Sequence, residues 1–249
     1  MQKITYDLKA ISATGEIEAE KAVSNMPSEA YYCAFLNTFI KKAPRFLLYS
    51  PDVVAYSPEV KEDFLKNLAD LRVVFEKLGV KIAEECFNDL EEAAAGSKSK
   101  ALSDKMVHLK AIAEMVIGYA QKAQTVTEAP PLVMAVDDMP EMLTLVQEAL
   151  KGEYDCLAVS SVDGALKALD THIPDLFLLD IEMPDKTGLD LAEQMSADFA
   201  LREIPILFLT SKHDKETVFE AKRIGGKGYI LKPFEKQALL KRIAFCLNE

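Results

Sequence analysis

Basic side chains, histidine and cysteine are all scarce in this 249-residue chain, and each scarcity removes a class of function. With 29 Lys and Arg against 40 Asp and Glu, the formal charge is -11 and no basic stripe runs along the chain. Such a protein lacks the electrostatic means to hold a phosphate backbone, so direct nucleic-acid binding is not expected. Cys33, Cys86, Cys156 and Cys246 stand far apart, with neither Cys-x-x-Cys spacing nor a paired histidine. That excludes a disulfide framework and a zinc site and predicts buried, reduced thiols. His172 and His213 read as surface residues, and His108 as a partly buried or surface residue of a helix. No run of about 18 apolar residues occurs, and the start at Met1-Gln2-Lys3-Ile4-Thr5 lacks the apolar core of an export signal, so no membrane span and a cytoplasmic location are expected.

What is present divides in two. Hydrophobic residues make up 49%, enough to bury a core in each of two domains. Residues 1 to 127 carry 16 basic and 18 acidic side chains, and residues 128 to 249 carry 13 and 22, so most of the negative charge lies in the second half. Between the halves, Gln121 to Pro131 is polar, has no apolar period and closes on two prolines. This places a linker at 125–131, separating an all-α domain at 1–124 from a second domain at 132–249. In the first, Phe64, Leu68, Leu71, Phe75 and Leu78 recur at helical spacing, followed after Gly79 by Ile82, Cys86 or Phe87, and Leu90. Further helices are expected over Glu16 to Ser24, Ser28 to Leu48 and Leu102 to Lys122, with a loop at Ala94 to Ser99, packed as a bundle.

After the linker, apolar runs alternate with amphipathic segments. Strands are predicted at Leu132 to Val136, Asp155 to Val159, Leu176 to Leu179, Ile204 to Leu209 and Gly228 to Leu231. Helices are predicted at Pro140 to Lys151, Val162 to Asp170, Leu189 to Asp198, Lys215 to Ile224 and Glu235 to Leu247. Five such units imply an α/β fold with one five-stranded, parallel, doubly wound sheet, whose ligands sit at the carboxyl ends of the strands. Four of the runs end on polar groups: Val136-Asp137-Asp138, Leu179-Asp180-Ile181-Glu182-Met183-Pro184, Leu209-Thr210-Ser211 and Leu231-Lys232-Pro233-Phe234. Folding would bring three carboxylates, a hydroxyl and an ammonium to one edge.

These residues, with Gly188 and with Tyr229 three positions before Lys232, resemble the receiver domain of bacterial response regulators, a flavodoxin-like fold, over residues 132 to 248. The resemblance implies that Asp180 accepts a phosphoryl group from a phosphohistidine of a sensor kinase or phosphotransfer protein, and that the protein is no enzyme beyond its own phosphorylation and dephosphorylation. Clustered carboxylates repel unless a cation intervenes. Magnesium is therefore expected on Asp138, Asp180 and the Glu182 backbone carbonyl, with Asp137 reaching it through water, while Lys232 neutralises the transferring phosphoryl group. Thr210 and Tyr229 are implied as the switch pair, and Glu182 with Lys212 as an ion pair that tunes phosphate lifetime.

The first half is similar to histidine phosphotransfer domains, on Glu18 to Val23, Ser28 to Tyr32, Phe35 to Pro44 and Ala69-Asp70-Leu71-Arg72-Val73 with Gly79. It departs from them where it matters. Ala69 stands at the phosphorylated histidine, Arg72 at the lysine and Val73 at a small glycine, so position 69 cannot relay phosphate. The resemblance implies a pseudo-phosphotransfer module that docks on its own receiver, another receiver or a kinase, with a homodimer open. Alternatives are a phosphotransferase through His108, a phosphate sink, and a phosphatase of the haloacid dehalogenase type. That last family places Asp-x-Asp after the first strand, not the third.

Overall fold

Because Pro58 suits a helix's first turn and the Ser57 hydroxyl accepts from the Val60 N–H, the long amphipathic segment of the first half starts cleanly. The structure, a computed structural model, describes residues 2–46, 48–96, 99–211 and 215–248. It divides into two compact units, Ile4–Val126 and Thr127–Glu249 with Met1–Lys3. The first half runs β1 (Gln2–Tyr6), α1 (Leu8–Ser12), α2 (Ala19–Val23), α3 (Glu29–Phe46), α4 (Pro51–Tyr56), α5 (Pro58–Lys77), α6 (Ala83–Ala95), α7 (Ser99–Ala123) and β2 (Gln124–Glu128).

The expected stripe Phe64, Leu68, Leu71, Phe75 and Leu78 is buried, while Ala69, Val73 and Glu76 are exposed on the flanking face. Tyr32, Phe35 and Phe39 of α3 fill the same core. Phe75 meets Phe39 and Phe87 edge to face, with centroids 5.2 and 5.5 Å apart. α5 stops at Gly79, whose φ of +77° lets its N–H reach the Glu76 carbonyl and the Val80 N–H reach that of Phe75.

The unit is mostly helical, but not wholly so. β1 and β2 form a two-stranded sheet, so the 125–131 linker is in part a strand and the 1–124 segment is not all-α. Gln124-Thr125-Val126-Thr127-Glu128 holds a single apolar residue and so shows no strand period, and its partner lies over a hundred residues away, beyond the reach of a local pattern. The helix expected over Glu16 to Ser24 is shortened to α2, because Ile17 bridges Val80 and the Glu18 N–H is taken by the Gly79 carbonyl.

The second unit alternates β3 (Leu132–Val136), α8 (Pro140–Leu150), β4 (Asp155–Val159), α9 (Val162–Leu169), β5 (Leu176–Asp180), α10 (Gly188–Ala197), β6 (Ile206–Thr210), α11 (Lys215–Arg223), β7 (Gly228–Leu231) and α12 (Lys236–Asn248). Its strands pair in the order β4-β3-β5-β6-β7, all parallel. Every residue of β5 and β6 is buried, as expected of central strands covered on both faces. β6 starts later than its apolar run because Pro205 has no N–H and the Ile204 N–H turns back to Leu201. The order reverses at β3, so the crevice beyond the ends of β3 and β5 is where such a sheet offers a site.

Candidate functional site

β3 runs out at Val136, and the next two residues, Asp137 and Asp138, fall at that crevice. Asp137 is 1% exposed; its N–H donates to the Val159 carbonyl and its carboxylate accepts from the Met139 N–H at 2.9 Å. Met139 itself occupies the N-cap of α8 without a side-chain bond, so capping accounts for only part of the acidic pair. Asp180 ends β5, paired in register with Leu209, and is 4% exposed. Carboxylate oxygens of Asp137, Asp138 and Asp180 all lie within 4.8 Å of one another.

Lys232 follows β7 and is the counter-charge. Its Nζ donates to Asp137 at 2.5 Å and to Asp180 at 3.0 Å, with all three side chains nearly inaccessible. The Lys232–Pro233 peptide is cis. Burial pushes the Asp180 carboxyl above the ordinary carboxylate range, and the Asp137 charge adds to that. The hydrogen bond and charge of Lys232 and the N–H of Glu182 oppose it. One ammonium against three carboxylates leaves roughly two negative charges in a small, mostly buried space, a donor set of hard oxygens that fits a divalent cation.

Thr210 ends β6, fully buried, and its carbonyl accepts from the Lys232 N–H at 2.9 Å, which brings those two residues to the same edge. Tyr229 pairs in register with Phe208 and is 44% exposed. Gly188 begins α10 against the turn after Asp180: a Cβ there would stand 2.0 Å from the Asp180 carbonyl oxygen, so the position admits no side chain without a shift. Glu182 is exposed, while Lys212 and His213 lie outside the described residues, so the expected Glu182–Lys212 pair is not placed.

In the helical unit, Ala69 is exposed on α5 and Arg72 pairs with Glu91 of α6 at 3.2 Å. His108 is exposed on α7. Cys33, Cys86 and Cys246 are buried and Cys156 is half-buried, each outside any disulfide, with burial pushing Cys86 and Cys156 up to about 11. Among the described residues, no helix is long and apolar enough to cross a membrane. Sequence reading missed the Lys186–Asp163 pair, at 2.6 Å, that ties the turn after Asp180 to α9. Two exposed residues 23 positions apart leave no periodic signal.

Residues 133–244 match the response regulator receiver domain family. The chain is 31% identical over 113 residues to the chemotaxis protein CheY of Pseudomonas aeruginosa, covering 45% of this chain and 91% of that one. It is 31% identical over 169 residues to hybrid signal transduction histidine kinase D of Dictyostelium discoideum, spanning 63% of this chain but 11% of that one. It also matches the phosphate regulon regulator PhoB of P. aeruginosa, at 30% identity over 51% of its length. Among solved structures, CheY4 of Vibrio cholerae is similar at 28% identity and TM-score 0.46, over 47% of this chain and 99% of that one.

Proposed function

The chain belongs to the response regulator receiver family of two-component signalling, and from that membership we propose that Asp180 is its phosphoacceptor, controlling protein contacts and not DNA binding. One observation carries this reading: three carboxylates gathered within 4.8 Å around a lysine that bonds two of them, at the switch point of a parallel sheet. A carboxylate oxygen of Asp180 attacks the phosphorus of a phosphohistidine from a sensor kinase or phosphotransfer protein. The P–N bond breaks as the P–O bond forms, and the imidazole nitrogen takes up a proton. The product is an acyl phosphate.

Asp138, Asp180 and the Glu182 carbonyl, with Asp137 through water, are the residues that would hold magnesium, which when bound supplies positive charge to the phosphoryl oxygens. Lys232 is already beside Asp180 and exchanges a carboxylate partner for a phosphoryl oxygen. Thr210 offers its hydroxyl to the phosphoryl group, and Tyr229, 44% exposed in this structure, turns inward as its partner in the switch once Thr210 has moved. Turning such an equilibrium from 1:99 to 99:1 takes about 5.5 kcal/mol of differential interaction, within reach of a few charge-assisted hydrogen bonds. On this reading the protein is no enzyme toward other substrates, and it acts in the cytoplasm.

The helical unit is proposed to be a phosphotransfer-like module without its histidine, serving as a docking surface through the exposed α5 face around Ala69 and Val73. The decisive experiment incubates the full chain and Asp180→Asn with magnesium and acetyl phosphate. Wild type is expected to gain one base-labile, hydroxylamine-sensitive phosphate and the variant none. A wild type that gains none, or a variant labelled equally, refutes the assignment.

A further inference from the structure

The carboxyl end of α11 is fastened to α10 by contacts that the phosphoryl chemistry does not use. Ser196 Oγ donates to the Ile224 carbonyl oxygen at 2.9 Å. Arg223 Nη2 donates to Glu193 of α10 at 2.9 Å, while the same guanidinium bonds Glu220 of its own helix through Nε at 3.1 Å and Nη2 at 2.5 Å. An exposed ion pair alone fastens little, but a fork shared between two carboxylates, one residue from a second and partly buried bond, is a network. The same end of α11 also packs inward. Ala221 and Ile224 are buried, and Gly226 lies so close to Phe208 of β6 that a Cβ would stand 2.6 Å from its ring.

The other end of α10 rests on the phosphoacceptor itself. Gly188 is in backbone contact with Asp180, and its N–H donates to the Ile181 carbonyl at 3.2 Å. A ten-residue helix, Gly188–Ala197, therefore joins the Asp180 turn to residues 223 and 224 with no break in close contact. Thr210 lies on a different path, at the end of β6 and ahead of α11 in the chain.

We propose that Glu193, Ser196 and Arg223 are positioning residues that make α10 a second lever from Asp180 to the carboxyl end of α11, working independently of the Thr210 hydroxyl. Movement of the Asp180–Gly188 turn is passed along α10 and through these ties to residues 221–226. The inference rests on Asp180 as phosphoacceptor, and its test separates the two ideas. A coupling route has to be shown by coupling, not by proximity.

Full-length wild type, Thr210→Ala, Glu193→Ala with Ser196→Ala, and all three substitutions together are saturated with beryllium fluoride and magnesium. Bound fluoride is read by fluorine NMR and the amides of 221–226 by hydrogen exchange. Thr210→Ala is expected to keep a measurable exchange response at 221–226, and cutting the two ties in that background to reduce what remains by at least half. Glu193→Arg combined with Arg223→Glu, tested in the Thr210→Ala background, should retain it. If Thr210→Ala binds fluoride yet loses the whole response, or if the cut ties leave the response undiminished, the second lever is overturned. No bound fluoride on wild type overturns the phosphoacceptor assignment, and this proposal with it.

Discussion

Asp180 is held by opposing forces, and their balance is measurable without any phosphodonor. Burial raises its proton affinity, the Asp137 charge raises it further, and Lys232 with the Glu182 N–H only partly compensates. A carboxyl whose folded pKa is raised contributes stability that is fully present below its unfolded pKa and is lost as pH rises through the folded value. In metal-free buffer, the stability of wild type relative to Asp180→Asn is therefore expected to fall as pH rises from about 4 towards neutrality. Urea unfolding of both proteins across that range checks it, and a wild type that gains on the variant with rising pH contradicts it. The identity of the acidic residues was legible because each ends an apolar run. Their protonation balance was not, because it depends on burial and on Lys232, which lies 52 positions along the chain from Asp180.

The turn between β5 and α10 is where an element boundary and the site coincide. Gly188 is there for space, not for a left-handed backbone: the Asp180 carbonyl oxygen occupies the volume a Cβ would need. Gly188→Ala is expected to push this turn away, costing about 2 kcal/mol of stability and slowing acyl-phosphate formation severalfold. Thermal unfolding and acetyl phosphate labelling of the variant test this, and wild-type values in both would mean that the turn opens freely. The strands and helices of the second unit were readable to within two residues at either end, since apolar runs bounded by Asp, Gly and Pro are local signals. The small offsets have local causes, such as Pro205 delaying β6. By contrast β1 and β2 went unread, because a five-residue strand is stabilised by its partner and neither partner is near in sequence.

For the molecule as a whole, the two halves differ in how far their chemistry can be taken. The receiver unit carries a complete set of polar groups, whereas the helical unit presents an exposed alanine at position 69, the place proposed to correspond to a phosphotransfer histidine. That proposal is tested by restoring the position in two steps. Ala69→His alone should remain unlabelled by a phosphorylated receiver, because Val73, half-exposed beside it on α5, obstructs close approach. Ala69→His with Val73→Gly should gain acid-labile phosphate, at the cost of roughly 1 kcal/mol in helix stability from the glycine. Labelling of the single variant, or none of the double, would remove the basis for calling the unit phosphotransfer-like.

The succession of strands along the chain, the residues at their ends and the absence of a nucleophile at position 69 follow from sequence alone, because hydrophobic period and chain order are local properties that survive without coordinates. Tertiary structure decided what those residues do to one another. It set the 2.5 and 3.0 Å bonds of Lys232, the raised proton affinity of Asp180, the contact of Gly188 with Asp180 and the ties between α10 and α11. Each of these depends on distance and desolvation between segments far apart in the chain, and no periodicity encodes them. The four polar strand ends thus mark the site, and the packing behind them determines how strongly charge is strained there.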